Sequence, residues 1–108
     1  MKPDDSEWTT KGGTLTDGTA QKEFGLTRDE IVQAIRAGAL RYKEASIYGN
    51  PALRLLRREV EALVQRKRGK DYLADRQQTT RLAAIDREIK QLKKRIAALE
   101  KERSKLLG

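Results

Sequence analysis

The feature that most constrains this chain is a heptad repeat of apolar residues near its C-terminal end. Leucine and isoleucine recur there at alternating spacings of three and four, which places them on one narrow stripe of an α-helix. The members of the stripe are Leu82, Ile85, Ile89, Leu92, Ile96, Leu99 and Leu106. Because a lone helix would expose this stripe to water, the pattern predicts a coiled coil and a homodimer that buries these residues.

The charges beside the stripe are compatible with two orientations of the paired helices. The parallel pairs are Arg81–Asp86, Glu88–Lys93 and Arg95–Glu100, and the antiparallel pairs are Glu88–Arg95, Arg81–Glu102 and Asp86–Lys93. All of them are attractive, and exposed ion pairs contribute only about 0.2–1 kcal/mol each. Isoleucine at the first core position with leucine at the second favours the parallel arrangement. Charge alone leaves the orientation open.

Composition excludes several classes of function. The chain has no cysteine and no histidine, which removes disulfides, thiolate or imidazole zinc sites and catalysis by either group. No pair of carboxylates lies in an apolar setting, so we expect a non-enzyme with no cofactor and no small-molecule effector. No apolar run approaches the roughly 18 residues of a membrane span. The start is polar and acidic and does not resemble a signal peptide, so we expect a cytoplasmic protein.

The positive charge of the chain is unevenly distributed. The net charge is +8, and residues 57–70 alone hold six Lys or Arg against two Glu. A basic stripe of this kind attracts phosphate by Coulomb force and by release of counterions. Equal shares of hydrophobic and charged residues, 37% each, favour a small head with a self-associating helix over one large core.

Two short helices are predicted in the first half of the chain. Residues 1–14 are expected to form a flexible N-terminal tail, with Trp8 docked on the head. Thr16 can cap a helix that ends at Gly25. Thr27 and Glu30 then form the pattern of a capping box, which begins a second helix that ends at Gly38. Two helices joined by a tight glycine turn are typical of a helix-turn-helix.

A hairpin and a third helix are predicted to follow. Apolar and basic residues alternate over residues 40–43 and again over 53–55, on either side of a turn signal at 48–51. Helical periodicity resumes from Arg57 to about Arg68. The predicted domains are thus a tail over residues 1–14, a winged helix-turn-helix over 15–69 and a coiled-coil helix over 70–108. Residues 71–80 lack the seam and form a solvated helix, a hinge, or a segment that packs Tyr72 and Leu73 on the head.

These elements, in this order, resemble the MerR/excisionase-like winged helix-turn-helix. The resemblance covers about residues 15–66 and rests on Ala20–Arg28, on Ile31 with Ala34–Leu40, on Leu53–Leu55 and on Arg57–Leu63. It implies a mainly α protein whose second helix enters the major groove of double-stranded DNA while the hairpin, or wing, grips the backbone. The family also favours an antiparallel dimer helix, against the preference of the core positions.

The resemblance assigns two groups of candidate DNA contacts. The base-contact candidates are Thr27, Arg28, Gln33 and Arg36 on the second helix. The backbone and wing candidates are Arg41, Lys43, Tyr48, Arg54, Arg57 and Arg58. The expected function is that of a dimeric DNA-binding protein, either a transcriptional regulator or a phage or mobile-element DNA-architecture protein, associated with the nucleoid. The alternative is a coiled-coil adaptor whose head binds a protein, which the acidic Asp29 and Glu30 favour.

Overall fold

A computed structural model of the chain describes residues 3–108, and their side chains from Ser6 onward. The described chain is mostly helical, with five helices and one three-stranded antiparallel sheet. The elements are α1 (Pro3–Thr9), β1 (Thr14–Thr16), α2 (Asp17–Phe24), α3 (Arg28–Arg36), β2 (Tyr42–Ile47), β3 (Asn50–Leu56), α4 (Arg57–Arg68) and α5 (Lys70–Leu107). They divide into two compact units, one that ends at Arg76 and one formed by residues 77–108.

The predicted boundaries of α2 and α3 are confirmed by their caps. The hydroxyl of Thr16 accepts the backbone N–H of Thr19 at 3.1 Å, which begins α2. At α3, Thr27 and Glu30 make both hydrogen bonds of the capping box, at 2.9 and 3.1 Å. Gly25, with φ +68°, and Gly38, with φ +80°, take the left-handed conformation that ends each helix. The sequence therefore determines this pair of helices locally.

Strands β2 and β3 form the predicted hairpin, with longer strands and a tighter turn than the sequence indicated. Tyr48 and Gly49 alone make the turn, and both have positive φ, as a type I′ turn requires. The register pairs Glu44 with Leu53, and the next pair along the strands is Lys43 with Arg54. Since side chains alternate across a strand, these two pairs lie on opposite faces of the hairpin.

The prediction of a flexible tail over residues 1–14 is wrong for its described part. Residues 3–9 form α1, and residues 14–16 form β1, which pairs with β3 on the side away from β2. Trp8 is half-buried, as expected of a docked residue, and the Nζ of Lys43 lies 4.9 Å from its ring centre. The backbone N–H of Arg57 donates to Gly13 at 2.9 Å. The predicted boundary at 14/15 therefore falls inside a strand.

The core lies between the sheet and helices α2, α3 and α4. Its most buried large side chains include Phe24, Ile31, Leu55, Val60 and Val64, all below 2% exposure. Ile35, expected on the inner face of α3, is only half-buried at the edge of this core.

The first residues of α5 complete this core. Tyr72 and Leu73 pack against it, which confirms one of the three alternatives for residues 71–80. The hydroxyl of Tyr72 also donates to the carbonyl of Phe24 at 2.8 Å.

The second unit, residues 77–108, is helical throughout except for Gly108, and none of its residues is buried. Its apolar stripe is about half exposed, with values from 45% at Ile89 to 55% at Leu92, and Leu106 reaches 82%. None of the described helices is long and apolar enough to span a membrane.

Candidate nucleic-acid interface

The four base-contact candidates lie on or next to α3. Gln33 and Arg36 are exposed, on the side of the helix opposite the buried Ile31 and Ala34. Arg28 is 72% exposed, and its guanidinium lies 3.5 Å from the carboxylate of Asp17. The hydroxyl of Thr27 accepts the N–H of Glu30 as part of the capping box. Three side chains, Arg28, Gln33 and Arg36, therefore present hydrogen-bond donors to solvent from one short helix.

An open groove separates α3 from the hairpin. Its lining includes Val32 and Arg36 from the helix, together with Tyr42, Glu44 and Leu53 from the strands. A neighbouring depression shares Glu44 and Leu53 and reaches Arg28 and Asp17. The groove thus follows α3 along its length, with an arginine near each end and Glu44 between them. Sequence reasoning missed Glu44 because its place opposite α3 depends on the register of the hairpin.

The hairpin candidates do not share that groove. Lys43 and Arg54 are cross-strand neighbours on the other face of the hairpin, where Lys43 lies over Trp8. Like charges directly opposite each other weaken a strand pair, so this face favours an anion near both cations. Tyr48 is fully exposed at the tip, and its φ of +52° is unusual for an aromatic residue. The candidates therefore form two surfaces on the two faces of one hairpin.

The three remaining backbone candidates are held by carboxylates of the chain itself. The pairs are Arg41–Glu59 at 2.8 Å, Arg57–Glu23 at 3.0 Å and Arg58–Glu7 at 2.7 Å. Glu7 binds Arg58 through both of its oxygens and raises the pKa of that guanidinium. Any phosphate that these arginines bind must compete with a carboxylate already in place.

The two acidic residues in the first turn of α3 have different surroundings. The carboxylate of Glu30 accepts hydrogen bonds from the backbone of Thr27 at 2.9 Å and from Arg68 at 2.8 Å. These contacts lower the pKa of Glu30 to about 2. Asp29 is exposed at the surface of the helix. Glu30 is therefore neutralised by α4, and Asp29 is the acidic group that α3 presents to a ligand.

Comparison with protein-family models, curated proteins and solved structures finds no match to this chain. Among the residues that the structure describes, no group of three or more acidic side chains is arranged to hold a metal ion. The argument for function rests on the geometry and charge described above.

Proposed function

We propose that this chain is a homodimeric DNA-binding protein with a MerR/excisionase-like winged helix-turn-helix head and a sequence preference for double-stranded DNA. The observation that carries the proposal is the exposure of Arg28, Gln33 and Arg36 on a capped helix next to a β-hairpin. A helix of this size fits the major groove, where arginine pairs with guanine and glutamine with adenine. A regulatory or DNA-architecture role follows from such binding.

Phosphate contacts are assigned to the cations without a carboxylate partner before those that have one. Lys43 and Arg54 on the hairpin meet this condition in the described structure, and Tyr48 extends from the tip beside them. Arg41, Arg57 and Arg58 contribute once phosphate displaces Glu59, Glu23 or Glu7. The apolar stripe of α5 provides the dimer, which places two heads on two half-sites.

Two matched arginine substitutions test the proposal. After selection of a preferred duplex from random sequences, Arg36→Ala should weaken binding to that duplex by about 1–3 kcal/mol and affect random duplexes much less. Arg54→Ala should weaken both equally and flatten the salt dependence by about one phosphate contact. Equal losses for the two variants, or a selection that recovers no preferred duplex, would overturn the proposal.

The groove beside α3 favours a second candidate, an adaptor whose head binds a protein segment. Val32, Ile35, Tyr42 and Leu53 give it apolar walls, and Glu44 adds one acidic group. The carboxylates on Arg41, Arg57 and Arg58 also reduce the charge available to DNA. An adaptor predicts weak, salt-sensitive DNA binding from the net charge alone, with no difference between Arg36→Ala and Arg54→Ala.

A further inference from the structure

The charges of residues 77–108 are segregated by helical face. All four acidic residues, Asp86, Glu88, Glu100 and Glu102, lie at the positions that flank the apolar stripe. The outer face, opposite the stripe, contains five cations and no acidic residue. These cations are Arg87, Lys90, Lys94, Lys101 and Lys105. The flanking acids can pair with a second helix, whereas the outer cations remain exposed after such pairing.

Solubility alone does not account for this arrangement. Lys90 and Lys94 are four residues apart, as are Lys101 and Lys105, and like charges at this spacing destabilise a helix. Within residues 77–108, none of the five cations forms an ion pair, and all five are exposed. Surfaces that only need to stay soluble intersperse both signs. The segregation indicates an anionic partner along the outer face.

We propose that the outer face of α5 binds the phosphate backbone of duplex nucleic acid without sequence preference. This surface is separate from α3 and the hairpin, and it extends the proposed function to a second contact. From Arg87 to Lys105 the helix rises about 27 Å, which equals the rise of about eight base pairs. The remaining outer positions include Ala83, Ala84, Ala97 and Ala98, whose short side chains let a duplex approach closely.

The flanking acids disfavour an anionic membrane as the partner. A helix that lies on a lipid surface needs a broad apolar face bordered by cations. Here the apolar stripe takes only two positions of each heptad, and Asp86, Glu88, Glu100 and Glu102 border it directly. Inserted into a membrane, these four carboxylates would meet anionic headgroups. In a coiled coil they meet cations of the partner helix, and the outer lysines stay free for phosphate.

The test compares two double variants with the same change in net charge. Lys94→Gln/Lys101→Gln removes two outer cations, and Lys11→Gln/Lys22→Gln removes two exposed lysines of the head. Binding of each full-length variant to a random-sequence duplex is measured over a salt series. The outer pair should lower the salt slope by about 1.8, or about 0.9 per contact, which is about 60-fold in affinity between 1 M and 0.1 M salt. The head pair should leave the slope unchanged, and sedimentation should show the same oligomer for both.

Three outcomes separate this inference from the proposed function. Equal slopes for the two double variants, with a preferred duplex still recovered, overturn the outer-face site and leave the proposed function standing. A lower slope for the outer pair with no preferred duplex supports the outer-face site and overturns sequence preference. Loss of binding to vesicles of anionic phospholipid, with DNA binding unchanged, overturns the outer-face site in favour of a membrane partner.

Discussion

Glu30 joins the start of α3 to the end of α4 through one carboxylate. Its oxygens accept hydrogen bonds from the backbone of Thr27 and from the guanidinium of Arg68, and the Nζ of Lys67 lies 3.9 Å away. The hydrogen bond from Arg68 is the largest cause of the lowered pKa, followed by that from Thr27. Charge-assisted hydrogen bonds of this kind are stronger than neutral ones. Glu30 therefore matters to the folded state only while it is ionised.

The lowered pKa of Glu30 predicts a specific loss of stability in acid. The carboxyl group titrates near its model value of 4.5 when unfolded and near 2 when folded. Its contribution is thus fully present above about pH 4.5 and is lost as the pH falls towards 2. Glu30→Gln should lower the free energy of unfolding at pH 7 by about 1–3 kcal/mol. The variant should lose less additional stability than the parent between pH 4.5 and 2, as denaturant titrations can measure.

Asp29→Asn is the matched control for this prediction. It removes one negative charge from the same turn, but Asp29 is exposed and takes no part in the capping box. Its pH dependence should follow that of the parent. If Glu30→Gln and Asp29→Asn showed the same pH dependence, the stabilising role assigned to Arg68 would be incorrect.

Gly25 shows why one turn needs a residue without a side chain. A Cβ atom at this position would lie 2.6 Å from the hydroxyl of Tyr72, which is held by its hydrogen bond to Phe24. Arg76 binds the carbonyls of Lys22 and Glu23 at 3.0 and 2.8 Å. The end of α2 is therefore closed by side chains of α5 that need close access to its backbone.

At the scale of elements, α1 covers cations that the proposed function assigns to DNA. Glu7 binds Arg58 through both oxygens, and its Oε1 also lies 3.9 Å from Arg41. Glu7→Gln should therefore strengthen binding to preferred and random duplexes equally and steepen the salt slope by up to about 0.9, one phosphate contact. Fluorescence anisotropy over a salt series would measure both effects.

Asp71→Asn controls for the change in net charge. Asp71 is exposed in the first turn of α5, where none of the ion pairs described above involves it. The control variant should leave the salt slope close to that of the parent. A similar slope for Glu7→Gln and Asp71→Asn would mean that total charge, and not release of Arg58, sets the affinity.

Local signals made α2, α3 and the hairpin predictable. The caps at Thr16 and Thr27 and the turn at Tyr48–Gly49 act within a few residues of the chain, so the sequence shows them directly. Helix α1 was missed because its segment is short and polar, although Pro3 is a residue type favoured at the first helical position. Its position depends on packing against β1 and on contacts with residues far along the chain.

The candidate site was only partly predictable for the same reason. The exposed donors of α3 follow from helical spacing, which the sequence contains. The ion pairs do not, because Arg57 and Glu23 are 34 residues apart and Arg58 and Glu7 are 51 apart. Only the folded chain shows that these arginines already have partners.

For the whole molecule, the apolar stripe on residues 82–106 determines the expected assembly. Leucine and isoleucine at its core positions are about half exposed in a single chain. Burying one such side chain contributes about 1.5–3 kcal/mol, so a second copy gains most by covering the whole stripe. The flanking charges pair attractively in a parallel coil and in one antiparallel register, so dimer formation does not depend on the orientation.

Two substitutions to glutamate test this assembly. Leu92→Glu places an uncompensated carboxylate in the stripe, whereas Ala98→Glu places it on the outer face of the same helix. Loss of two buried leucines per dimer should raise the dissociation constant by about a thousandfold or more, because each costs about 2 kcal/mol or more. Sedimentation equilibrium should then find Leu92→Glu monomeric at concentrations where the parent and Ala98→Glu are dimers. A dimer that persists in Leu92→Glu, or that dissociates equally in both variants, would show that the stripe is not the interface.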